Sequence, residues 1–215
     1  MSEDLYYIKR PSTLSSDAPL LIMLHGYGSN EEDLFSFASE LPEELFIISL
    51  RAPYDLMPYG YAWYSINFDA QQNKWSDDEQ AILSREKVAK FIDYAIYTYN
   101  INKENVTLLG FSQGTILSYS IALTYPTKVK NIIALSGYVN KNILPENFSE
   151  FNYSHLDFYC SHGSVDQVIP VDWARKTPEF LSSLNIKHSY TEYPVGHGVS
   201  PQNFYDFKNW LEERI

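Results

Sequence analysis

Cysteine is nearly absent: Cys160 is the sole one in 215 residues. A disulfide within the chain is excluded, and a cysteine-based zinc site nearly so. A reducing, cytoplasmic setting is the expectation. Long apolar runs are missing as well. The longest, residues 20–24, falls far short of the roughly 20 residues that span a bilayer. The opening Met1-Ser-Glu-Asp-Leu-Tyr-Tyr7 is acidic, where a secretory leader is basic and then apolar. No stable membrane insertion is expected. Basic residues are outnumbered, Lys+Arg 16 against Asp+Glu 27, for a net charge of −11. Such a surface repels phosphate backbones and anionic membranes, so nucleic acid is not an expected partner. No repeat, low-complexity tract or interdomain linker is found. The length suits a single domain (1–215) with a sizeable core.

What is present is an alternation. Short apolar runs at 20–24, 46–50, 106–109, 132–135 and 156–160 read as buried strands, and 186–193 reads as a further strand. Between them, residues 78–99 place Ile82, Val88, Ala89, Ile92, Ala95, Ile96 and Tyr99 largely on one helical stripe. Asp77 and Asp78 stand at its start, where the helix dipole favours acids. Residues 114–125 are apolar all round and stopped by Pro126; 171–184 and 201–213 are later amphipathic candidates. Strands separated by helices predict an α/β fold with a mainly parallel central sheet, helices on both faces and no large lid. Ligands in such sheets bind beyond the carboxyl ends of the strands. Residues 52–75 have weak periodicity and read as a long loop.

The strongest local signal is Gly110-Phe111-Ser112-Gln113-Gly114, set between a strand and a helix. This pattern makes a tight turn that exposes the serine hydroxyl. It also puts Ser112 at a helix N-terminus, where free N–H groups can stabilise an oxyanion.

A serine hydroxyl needs a base, and the base needs an orienting carboxylate; in this architecture the chain order is Ser, acid, His. His197 lies in Pro194-Val-Gly-His-Gly-Val-Ser-Pro201, a loop after a strand and before the last helix, and is the expected base. His188 lies inside a strand, His162 shapes the loop after residue 160, and His155 precedes its strand at the wrong end of the sheet. Asp166, between the strand at 156–160 and the helix at 171, is the expected carboxylate. Asp157 sits near a strand start, and Asp172 in a first helical turn where a dipole role fits better. His25-Gly26-Tyr27-Gly28 follows the first strand and aims a backbone N–H at the attacked carbonyl. The Tyr27 and Gln113 amides then form a two-donor hole, each donor worth about 3 kcal/mol of barrier. His25 has no second histidine at metal-ligand spacing and fixes its loop. Cys160 reads as a buried structural thiol.

Taken together, Leu24-His25-Gly26-Tyr27-Gly28-Ser29-Asn30, the 110–114 motif, His162-Gly-Ser-Val-Asp166-Gln-Val-Ile-Pro170 and Gly196-His-Gly-Val-Ser200 resemble the phospholipase/carboxylesterase family of α/β-hydrolases. That family includes acyl-protein thioesterases and small bacterial carboxylesterases. The resemblance runs from about residue 20 to the C-terminus. It implies an α/β-hydrolase fold, Ser112, Asp166 and His197 as a triad, and Tyr27 and Gln113 as oxyanion donors. It also implies hydrolysis of carboxylic esters or acyl thioesters with no cofactor and no metal. The substrate is then a small-molecule ester or thioester, or an acylated protein; some members dimerise, so a homodimer is within expectation. Thr115 stands where members often carry a second glycine, and Tyr27 where they often carry leucine.

Aromatics, 16% of the chain, crowd the 52–75 segment: Tyr54, Tyr59, Tyr61, Trp63, Tyr64, Phe68 and Trp75. Tyr61, Trp63 and Tyr64 are expected to wall an apolar acyl pocket, with Val168 and Ile169 opposite; the alternative is that they seal the loop onto the core. Two other functional readings stay open. One is a related serine hydrolase acting on a peptide, lactone or cinnamoyl-type ester, and the other a catalytically silent binding module.

Overall fold

A computed structural model describes residues 5–68 and 74–215. Of the aromatics named above, the side chains of Phe68 and Trp75 lie outside the described residues. The predicted strands are all present. They are β2 (Ala18–Leu24), β3 (Phe46–Leu50), β8 (Ile101–Phe111), β9 (Asn131–Leu135), β10 (Asp157–Gly163) and β11 (Lys187–Tyr193). With β1 (Tyr7–Arg10) they form a seven-stranded sheet in the order β1-β3-β2-β8-β9-β10-β11. Within this sheet, among the described residues, only the β1–β3 pairing is antiparallel. The segment read as a plain loop holds two short hairpins, β4 (Tyr54–Asp55) with β5 (Tyr61–Ala62), and β6 (Ile66–Phe68) with β7 (Lys74–Ser76).

Every residue of β2 is buried, and its alternation shows why the run is continuous rather than period-two. Leu20, Ile22 and Leu24 face one core, and Leu21 and Met23 the other. The first core is covered by α2 (Asp78–Tyr99) and α3 (Gln113–Thr124). The second is covered by α1 (Glu32–Phe35) and α6 (Pro201–Glu212), through Leu34, Phe204, Phe207 and Leu211. Asp77 caps α2 by accepting from the Gln80 N–H at 3.0 Å, and the helix ends where Asn100 turns left-handed at φ 51°. The helix expected over 171–184 is two: α4 (Val171–Ala174) and α5 (Thr177–Ser183). Pro178 explains the break, because its ring would collide with the carbonyl four residues back, that of Ala174. No helix among the described residues is long and apolar enough to cross a membrane.

The chain adds β3 on one side of β2 and β8 on the other. The loops after β2 and β8 therefore leave the sheet as neighbours at its carboxyl edge, Leu24 being in register with Gly110.

Candidate active site

Ser112 caps α3 with φ 54° and ψ −115°, a conformation that non-glycine residues rarely adopt. Two features hold it there. Its N–H donates to the Leu135 carbonyl at 2.9 Å, tying the turn to the end of β9. Gly114 lets the helix start meet the end of β2: a Cβ at Gly114 would lie 1.9 Å from the Leu24 carbonyl oxygen. Thr115, the departure from the family pattern, is accommodated by a matching vacancy. Its hydroxyl lies 2.6 Å from both the Gly110 and Leu135 carbonyls and accepts from the Leu135 N–H at 3.0 Å. Its methyl fills the space beside Gly137, where a Cβ would come within 2.4 Å.

The structure brings the three distant side chains together. His197 Nε2 lies 2.9 Å from Ser112 Oγ, and His197 Nδ1 lies 2.6 Å from Asp166 Oδ2. The phenyl ring of Phe111, 5.0 Å from the imidazole, packs against it. Asp166 Oδ1 accepts the backbone N–H groups of Val168 (2.8 Å) and Ile169 (3.0 Å). Burial alone would raise the Asp166 carboxyl, but the hydrogen bonds from His197, Ile169 and Val168 outweigh it and hold it below its ordinary value. The loops that carry Asp166 and His197 are stitched together by Ser164 N–H to Tyr193 O (2.7 Å) and Val165 N–H to Val195 O (3.2 Å).

The rejected candidates sit elsewhere. Asp157 is ion-paired with Lys187 (2.6 Å) and Arg214 (3.0 Å) at the opposite end of the sheet. Asp172 pairs with Arg175 at 2.9 Å. His155 Nε2 bonds the Pro126 carbonyl at 2.7 Å, and His188 Nδ1 the Ile186 carbonyl at 2.8 Å. His162 has a larger part than loop shaping suggests. Its buried Nε2 donates to the Ile169 carbonyl at 2.9 Å and passes 3.3 Å from Asp166 Oδ2, so it braces the carboxylate from behind. Cys160 is buried, and burial pushes its thiol up to about 12.

Gln113 opens α3, so its N–H has no acceptor within the helix. Tyr27 lies beside it in the loop after β2, where a Cβ on Gly26 would sit 3.4 Å from that of Ser112. The side chain of Gln113 has a role that sequence reading missed. Its Oε1 accepts the Trp63 N–H (2.8 Å) and its Nε2 donates to the Tyr64 carbonyl (2.7 Å). Buried between them, this amide clamps the aromatic segment onto the serine turn as a strand neighbour would.

A cavity of about 330 Å³ opens over Ser112 and His197. Tyr64, Val168 and Ile169 line it as expected; Ile116, Tyr138 and Trp173, not anticipated, line it too. Tyr61 and Trp63 do not line it, which corrects that part of the expected wall. Trp63 is fully buried, with its indole N–H on the His25 carbonyl at 2.9 Å. The Tyr61 ring stacks on the Arg51 guanidinium, 4.6 Å away. Trp63 and Tyr64 both pack into the same core beside Ser112, and of the two only Tyr64 reaches the cavity.

His25 holds the first loop from both ring nitrogens. Its Nδ1–H donates to the Gly26 carbonyl at 2.7 Å and its Nε2 accepts the Ala52 N–H at 3.1 Å. A second proton at Nε2 would face that N–H, and burial lowers the pKa of the ring. The unfolded chain, with an ordinary histidine near pH 6.5, then binds a proton that the folded one refuses. Stability from this group is full above about pH 6.5 and falls as pH drops below it, by up to about 1.4 kcal/mol per pH unit. Denaturant midpoints measured from pH 7.5 to 5 should show this slope, and the His25→Asn variant, less stable throughout, should have a shallower one.

Residues 11–215 match the Phospholipase/Carboxylesterase family. Among curated proteins the chain is 25% identical to acyl-protein thioesterase 1 of Emericella nidulans, over 94% of this chain and 92% of that one. It is 27% identical to acyl-protein thioesterase 1 of Yarrowia lipolytica, over 91% of each. Among solved structures, the carboxylesterase of Bacillus cereus superposes over the whole of both chains with a TM-score of 0.85 at 18% identity. Esterase PE8 superposes over 98% of this chain and 99% of its own with a TM-score of 0.85 at 23% identity. On the family match and these relatives, the chain is a hydrolase that belongs to the phospholipase/carboxylesterase family of α/β-hydrolases.

Proposed function

We propose that the protein cleaves carboxylic esters of short to medium acyl length, or acyl thioesters, through an acyl-enzyme on Ser112. The observation that carries this reading is the continuous hydrogen-bonded chain from Ser112 Oγ through His197 to Asp166, at 2.9 and 2.6 Å. His197 Nδ1–H donates to Asp166, so Nε2 presents its lone pair to the serine proton. Nε2 takes that proton as Oγ attacks the carbonyl carbon. The oxyanion is held by the Tyr27 and Gln113 amides. His197 then gives the proton to the departing alcohol or thiol, and water activated by the same nitrogen releases the acid. Asp166 stays ionised and fixes the tautomer. Besides the substrate and water, each step uses only side chains and amides of this chain.

The cavity, at about 330 Å³, lies at the small end of ligand-pocket sizes, which favours short and medium chains. The acyl-protein thioesterase names of the relatives support thioesters, from small molecules or acylated proteins, as the second substrate class. The test is a p-nitrophenyl ester series of rising chain length, run beside an acyl thioester and an amide, with fluorophosphonate labelling of Ser112. Labelling with turnover of the shorter esters or the thioester is the expected result. No labelling and no turnover would overturn the reading.

A further inference from the structure

A second concavity of about 630 Å³ adjoins the cavity over Ser112. Tyr138 and Trp173 line both, their rings meeting edge to face with centroids 5.1 Å apart. Beyond them Val139 and Phe180 continue an apolar floor, and Lys141 and Lys176 stand exposed on its rim. The Lys141 ammonium lies 5.0 Å from the centre of the Phe180 ring. Lys103, Lys128, Lys187 and Lys208 each have a carboxylate partner, whereas Lys87, Lys90 and Lys130 have none among the described residues. Lys141 and Lys176 have none among the described residues. Two nearby acids are engaged elsewhere, Asp172 with Arg175 at 2.9 Å and Asp78 with Asn140 at 3.3 Å. Glu179 is the carboxylate of the lining, one negative charge against two positive. In a chain of net charge −11, two unpaired cations beside a half-apolar groove make a local well for an anion.

We propose that this groove is a substrate subsite, which rests on the reading of Ser112 given above. It takes one arm of the ester, an apolar chain whose far end carries an anionic group, while the carbonyl sits at Ser112. Trp173 and Tyr138 form the threshold across which the chain passes. The substrate class is thereby narrowed from any acyl ester to esters or thioesters with a terminal carboxylate or phosphate on one arm.

The experiment measures the ratio of kcat/KM for an ester with a terminal carboxylate to that for its uncharged methyl-ended counterpart. Chain lengths are varied with the carboxylate placed first on the acyl arm, then on the alcohol arm, so that the two series identify which arm enters the groove. At one length on one arm, the wild-type ratio should exceed one by about five- to tenfold at low salt and shrink toward one as salt is raised. In the Lys141→Ala/Lys176→Ala double variant the ratio should collapse toward one, and in Lys141→Glu/Lys176→Glu it should fall below one. Calorimetric binding of the matching free dicarboxylic acid to the Ser112→Ala variant reads the groove without turnover. A ratio of one at every length on both arms, or a preference that survives the lysine substitutions, overturns the subsite. Failure of both the charged and the uncharged esters to turn over in the wild type is a different result, and counts against the role of Ser112 instead.

Discussion

Ser112→Ala is expected to lower ester turnover by at least about 10,000-fold while leaving the fold in place, because hydroxyl, imidazole and carboxylate act as a unit. The residue is 8% exposed and its hydroxyl is bonded to His197 alone among the described residues, so its removal deletes one hydrogen bond. That costs about 1 kcal/mol. Alanine keeps the Cβ, so the strain at φ 54° is no greater than before. The Leu135 carbonyl and Gly114 still define the turn. Melting curves of variant and wild type should nearly coincide while p-nitrophenyl ester hydrolysis disappears. Hydrolysis at the wild-type rate would remove Ser112 from the chemistry, whatever the 2.9 Å contact suggests.

Trp63→Ala is expected to have the largest effect on stability. The indole is fully buried against His25, ring centroids 5.5 Å apart, and its N–H is the described donor to the His25 carbonyl. Truncating a buried tryptophan costs about 3–5 kcal/mol, and the stranded carbonyl adds to that. For a chain of this size the melting temperature should drop by roughly 10 °C. The backbone of Trp63 still bonds Gln113, so the cavity wall at Tyr64 stays in place. Chain-length preference should therefore keep its rank order in whatever fraction remains folded. A shifted preference at unchanged stability would restore Trp63 as a pocket wall.

The parts of the molecule that could be read from sequence were those in which the local pattern and the global fold agree. The buried parallel strands announce themselves as unbroken apolar runs because both faces are covered. The serine turn was visible because two glycines and a serine have to occupy fixed offsets between a strand and a helix. Asp166 and His197 followed from chain order and from lying beyond strand ends. The β1 strand stayed hidden: Tyr7-Ile-Lys-Arg10 holds one aliphatic residue and is held by nonlocal bonds, among them Tyr7 Oη to Tyr99 Oη at 2.6 Å. The hairpins of residues 54–76 have strands of two or three residues, too short for any periodicity. Part of the cavity wall was missed for another reason. Ile116, Tyr138 and Trp173 follow the carboxyl ends of β8, β9 and β10, the same rule that located the polar residues. Applying that rule to apolar residues as well would have found them. The brace of His162 and the clamp of Gln113 needed coordinates, since neither has a spacing signature.

Thr115 and Gly137 contend for one small volume, and this constrains how the protein can diverge. A lineage carrying threonine at the first position has no room for any side chain at the second, because the methyl would stand 2.4 Å from the new carbon. Exchange of bulk between the two sites must pass through an intermediate with glycine at both, which leaves the volume unfilled, and never through the crowded alternative. Such sign epistasis ties two residues 22 positions apart into one evolutionary unit.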